Sequence, residues 1–116
     1  MKAVSIVKPG GSLIASGEKT IEVRRWQPDL SPTEDLLIVE NEKFLHQDGD
    51  KDDNGKAVAV VRVKLVRPFV RSDIKAACAT SFEEGWLAWE LTDIRPVRDE
   101  FAALAARRIY EVAFPK

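Results

Sequence analysis

The stretch Gly17-Glu18-Lys19-Thr20-Ile21-Glu22-Val23-Arg24-Arg25-Trp26 decides how this chain is read. From Thr20 onward the side chains alternate. Ile21, Val23 and Arg25 share one side, and Thr20, Glu22, Arg24 and Trp26 share the other. That is a strand with an apolar face and a polar face. Gly17 suits the position just past a helix, where a left-handed residue is needed, so the stretch reads as a helix end running into a strand. Glu22 and Arg24, two residues apart, fall on one face. Lys19 has the parity of the apolar face, but it lies at the exit from the Gly17 turn, where strand parity need not hold.

Upstream, Val4 and Ile6 mark a short first strand. Pro9 suits a first helical turn because its fixed φ is compatible with it, and Leu13 and Ile14 supply a small apolar face. Gly10 and Gly11 each weaken that helix by about 1 kcal/mol relative to alanine, so packing must hold it. Downstream, Gln27 to Glu34 reads as loop, Asp35 to Asn41 as a buried strand and Glu42 to Lys56 as a long, exposed acidic loop. Ala57 to Phe69 is the longest β signal, ending at Pro68. Val70 to Ala79 is predicted helical, with Ser72 as a cap. Trp86 to Thr92 is predicted as a strand, Asp99 to Ala106 as a short helix and Arg107 to Phe114 as a last strand. Five or six strands and two or three short helices, not strictly alternating, predict an α+β fold whose sheet closes toward a small barrel.

The 116 residues suit one domain, taken as residues 1–116, and are enough for a core without metal or disulfide staples. Hydrophobic residues make up 45% and charged residues 32%, which excludes a disordered chain. The net charge of −1 excludes binding driven by a basic overall field, so any nucleic-acid contact must come from a local pocket. Cys78 has no second cysteine to pair with, and its alanine neighbours predict a small buried hydrophobe. The first residues move straight into apolar alternation without a leader pattern. No apolar run approaches the ~20 residues of a membrane span. The expected location is the cytoplasm, with no membrane or DNA partner.

Lys19, Glu22 and Arg24 place a carboxylate between two cationic donors. Such a set can grip a phosphate or a base edge. It can also position water, with Glu22 as general base and Lys19 stabilising an oxyanion. The alternative is an exposed strand face with ordinary salt bridges, each worth little. Trp26, at the strand end, can stack on a base. Trp89 shares a face with Leu87 and Leu91 and reads as core, while Trp86 has the opposite parity and reads as partly exposed. The basic residues Arg62, Lys64, Arg67 and Arg71 form a further candidate set: Arg62 and Lys64 lie on one face of the long β-run and can extend an electropositive groove, the alternative being a solvated sheet face; the Arg107-Arg108 pair is similar and says less. Asp50-x-Asp52-x-Asn54-Gly55 begins like a calcium loop, but Val61 stands where the bidentate glutamate belongs, so it reads as a hairpin loop. His46, the single histidine, lies in that loop, away from any triad.

Gly17, Lys19, Glu22 and Arg24 match the G-x-K-x-x-E-x-R signature of the ASCH domain family. Val4-Ser5-Ile6-Val7-Lys8-Pro9 resembles that family's first strand and helix start, and Ala88-Trp89-Glu90-Leu91-Thr92-Asp93-Ile94-Arg95-Pro96 resembles a segment near its C-terminus. The resemblance spans essentially the whole chain. It implies a PUA-like β-barrel with a cleft lined by the signature residues, and a ligand that is RNA, a nucleoside or a nucleotide. On this reading Lys19, Glu22, Arg24, Trp26 and Arg62 bind the ligand. The alternative it implies is a hydrolase, either a ribonuclease or an amidohydrolase of the acetylcytidine type, with Lys19 and Glu22 catalytic. No cofactor is expected, apart from a divalent cation if the chemistry is that of a ribonuclease. The amidohydrolase branch uses a threonine where this chain has Glu22, which lacks the hydroxyl for a covalent mechanism. Glu83 and Glu84 are the nearest candidates for that branch's remote glutamate.

Overall fold

The run Leu36-Leu37-Ile38-Val39 lies in the middle of the molecule, and all four side chains are buried. The computed structural model describes residues 1–114. In chain order they form β1 (Lys2–Val7), α1 (Gly10–Ala15), β2 (Ile21–Arg24), β3 (Leu36–Asn41), β4 (Lys51–Asp52), β5 (Lys56–Pro68), a 3-10 turn (Arg71–Asp73), β6 (Leu87–Ala102), β7 (Ala105–Ala106) and β8 (Ile109–Glu111). A mixed sheet of six strands runs in the order β2-β6-β5-β3-β1-β8, and β4 pairs with β7 in a separate two-stranded ribbon. β1 runs parallel to β3 and antiparallel to β8.

A strand covered on both faces reads as a continuous apolar run, because successive side chains point to opposite sides. β3 shows this directly. Leu36 and Ile38 join a core with Val4, Ile14, Val61 and Trp89, while Leu37 and Val39 join a second one with Ala3, Ala57 and Ala105. Trp89 is fully buried and meets Trp26 edge to face at 5.1 Å. Truncating a buried aromatic side chain to alanine costs about 3–5 kcal/mol, which sets the scale of this anchor.

α1 packs against β1, β3, β5 and β6. Gly11 permits its approach, since a Cβ there would stand 2.8 Å from the Glu40 Cβ. Glu40 ties down the helix start, accepting from Ser12 N at 2.7 Å and Ser12 Oγ at 2.8 Å. Gly17 has φ +85°, the left-handed geometry expected of it.

The sheet does not close into the expected barrel: β2 and β8 are its two ends. The register between β5 and β6 shifts at Ala57/Ala59, Val60/Arg62 and Val63/Leu65; such bulges add local twist and bend. Helix is scarcer than expected. The helix predicted over Val70 to Ala79 is a 3-10 turn followed by turns, because the Ala76 and Ala77 carbonyls accept from Thr20 N and Lys19 Nζ, and Cys78 turns the chain with φ +51°. Cys78 is exposed, not the buried hydrophobe its neighbours predict. Asp99 to Ala106 is not a helix: Phe101 and Ala102 pair with Ala57 and Lys56, extending β6, and β7 follows. Sheet pairing overrides the helix preference of the alanines. No helix among the described residues is long and apolar enough to cross a membrane.

Candidate functional site

The turn between α1 and β2 delivers Lys19. Its backbone N–H donates back to Leu13 O at 3.0 Å, wrapping the chain around the helix end. β2 then pairs antiparallel with β6, setting Glu22 opposite Trp89 and Arg24 opposite Leu87. The signature strand and the Ala88–Pro96 segment, two of the three that carry the family resemblance, are therefore neighbours in space. Ile21 packs with Phe69, Ala77 and Ala88 as its parity predicts, and Glu22, Arg24 and Trp26 line a cleft of about 530 Å³, which Val23 of the opposite parity also touches.

Lys19 and Glu22 are buried. Lys19 Nζ lies 3.2 Å from Glu22 Oε1 and donates to Ala77 O at 2.6 Å. Arg24 donates through Nε to Glu22 Oε2 at 2.8 Å and through Nη2 to Ser5 O at 2.8 Å. Burial works to raise the Glu22 pKa, but the charges of Arg24 and then Lys19 outweigh it, and the carboxyl is held below its ordinary 4.5. Glu22 is thus an ionised strut between two cations, and both cations also line the cleft.

Among the described residues, Glu22 is the one carboxylate lining this cleft, against Lys8, Lys19, Arg24, Lys43, Arg107 and Arg108. The hollow is locally cationic although the chain carries a net −1. Trp26 lines it, and the Arg108 guanidinium lies 4.9 Å from its ring centroid, a cation–π distance. Arg62 is elsewhere. Its Nε donates to Asp35 Oδ1 at 3.1 Å, beside Arg95 Nη2 at 2.6 Å from the same oxygen. That network holds Asp93 and Arg95 of the Ala88–Pro96 segment, neither of which lines the cleft. Glu83 and Glu84 are exposed and outside the cleft lining; Glu83 lies 3.5 Å from Arg25.

No local sequence pattern marks Lys8, Lys43, Phe44 or Arg108 as cleft residues, yet the fold brings all of them to it. Asp52 accounts for two of them. It is buried, and its Oδ2 accepts from Glu42 N at 2.9 Å and Lys43 N at 3.2 Å. Asn41 Nδ2 donates to Lys43 O at 2.6 Å. These bonds pin the loop so that Lys43 and Phe44 stand at the cleft. Phe44 is 70% exposed, and a bare aromatic in an acidic loop is the signal that could have found it.

The ASCH domain profile matches residues 4–101. A search of curated proteins returns no match. Among solved structures, the chain is similar to ASCH from Zymomonas mobilis, with TM-score 0.61 and 16% identity over 84% of this chain and 70% of that one. Two mutant structures of that protein give TM-score 0.57 at 16% identity, over 92% of this chain and 87% of the other, and 0.56 at 17%, over 84% and 72%. At such identities the structural likeness speaks for the fold alone. The profile match spans most of the chain and includes the whole Gly17–Arg24 signature, whose Lys19, Glu22 and Arg24 converge on one cleft; this chain belongs to the ASCH domain family.

Proposed function

We propose that the cleft binds RNA or a nucleotide, with Lys19 and Arg24 engaging phosphate or carbonyl oxygens and Trp26 offering a stacking surface. The carrying observation is the charge pattern of the cleft: one ionised carboxylate, already paired, within a ring of cationic side chains. A buried cation with a fixed counter-ion is preorganised, so little ordering cost remains when an anionic group arrives. PUA-like folds are often linked to RNA, which agrees with this reading, and the expected setting is RNA metabolism in the cytoplasm.

The hydrolase alternative asks Glu22 to take a proton from water. A general base works best with a pKa near the working pH, whereas Glu22 is held below 4.5 and both its oxygens face cations. This favours binding over general-base catalysis by that residue. A divalent cation would find Glu22 alone among the cleft carboxylates of the described residues, and Glu22 is already engaged, so these residues do not fit a resident metal.

Replacing Lys19 by alanine tests the proposal. Loss of a charge-assisted hydrogen bond should weaken binding of short single-stranded RNAs and nucleotides by about ten- to 150-fold, read by titration after thermal unfolding confirms a folded variant. Unchanged affinity for every RNA and nucleotide bound by the parent protein would overturn it.

A further inference from the structure

Beside the cleft lies a second hollow of about 390 Å³, lined by Val23, Arg24, Arg25, Trp26, Trp86 and Arg107. Arg24, Trp26 and Arg107 line both hollows, so the two are contiguous. Each falls in the range of small-ligand sites, about 300–1,000 Å³. The composition of the second is specific: arginines, tryptophans and a valine, with no carboxylate among the described lining residues. Arginine is suited to phosphate through its planar fork of donors, and an indole face accepts any base.

Trp86 is half-buried and rests on Phe69, with ring centroids 6.3 Å apart. Arg25 stands over the Trp86 ring at 6.0 Å, the outer limit of a cation–π contact. Its side chain is 74% exposed, and its partner Glu83 is 3.5 Å away and also exposed. Such a pair holds the guanidinium weakly, leaving it free to move onto a phosphate and open the indole to a base.

We infer that this second hollow receives the nucleotide flanking the one in the cleft, so that the ligand is a single-stranded oligoribonucleotide and not a free nucleoside or mononucleotide. The inference rests on the cleft reading above and narrows its ligand class. Arg24 and Arg107, shared by both hollows, are placed to hold the phosphate joining successive nucleotides, while Trp86 and Arg25 hold the outer base and its phosphate.

The test compares each nucleoside monophosphate with its homo-oligoribonucleotide, on the parent chain, Trp86→Ala and Arg25→Ser. The parent should bind the oligomer about five- to 150-fold more tightly than the monomer, the worth of one stacked base. Trp86→Ala should lose that gain while monomer affinity stays unchanged. Arg25→Ser, at an exposed position, should lower the slope of log affinity against log salt by about 0.7 for the oligomer, and leave the monomer's slope alone; it decides alone if Trp86→Ala does not fold. Equal parent affinity for monomer and oligomer overturns the inference and leaves the cleft reading standing. So does a loss in the variants that falls equally on both ligands, or no loss at all. Failure of the parent to bind either ligand overturns both readings.

Discussion

Glu22 and Arg67 occupy mirrored positions in two charge clusters of the same sheet. Around Glu22, one carboxylate serves two cations, Lys19 and Arg24. Around Arg67, one cation serves two carboxylates: it donates to Glu90 Oε2 at 2.7 Å and in bidentate fashion to Asp73 at 2.7 and 2.9 Å. Asp73 also accepts from Val70 N, and the Arg67 hydrogen bonds hold its pKa below the usual carboxylate range. Neither Arg67, Asp73 nor Glu90 lines either hollow. The Arg67 cluster joins β5, the 3-10 turn and β6 and spends its donors internally. The Glu22 cluster stands beside open space with cationic capacity left over. An ion-pair network therefore speaks for a site through its surplus charge and the void next to it, not through its pairing.

The sharpest way to break this comparison is Glu22→Gln. The amide would leave two cations, one of them buried, without their counter-charge, at a cost of about 3–5 kcal/mol, measured by urea unfolding at neutral pH. A loss below about 1 kcal/mol would place the triad with surface pairs. The same substitution has a pH signature. The folded pKa of Glu22 lies below its unfolded value, so its stabilisation is complete above about 4.5 and is lost as pH falls through the folded pKa. The parent chain should lose stability in that acid range more steeply than the Gln variant, as read from unfolding curves between about pH 6 and pH 3.

Asp73→Asn sharpens the other half. It weakens a bidentate pair, but Arg67 is one-third exposed, so screening reduces the cost to about 1–2 kcal/mol. RNA affinity should not change; a drop of tenfold or more, about 1.4 kcal/mol, would assign the Arg67 cluster to binding. The smallest effect belongs to Arg62→Ala. It removes a partner of Asp35, which still has Arg95, and should cost no more than about 1 kcal/mol with affinity intact.

Much of the site was legible because it is local. Parity alone placed Glu22, Arg24 and Trp26 on one face, and Gly17 announced the turn that frees Lys19 from strand parity. Trp89, alternating with Leu87 and Leu91, was legible as core. Lys8, Lys43 and Arg108 were not, since they reach the cleft from separate segments through sheet topology and the Asp52 staple. Arg62 looked like part of a groove because its face of β5 is basic, yet Asp35 and Asp93 neutralise it. The alanines of 74–79 and 102–106 suggested helix from local preference, while long-range pairing and the bonds to Thr20 and Lys19 decided otherwise. Barrel closure depends on how the two edge strands meet, which no local pattern encodes.

Cys78 lines the cleft and adjoins Ala77, whose carbonyl anchors the Lys19 ammonium. It is exposed, and it is the sole cysteine of the chain. The unmutated protein therefore carries a single attachment point for a thiol-reactive dye in the lining of the cleft. A fluorophore fixed there would change its emission when the hollow fills, making occupancy an optical signal without any engineered handle.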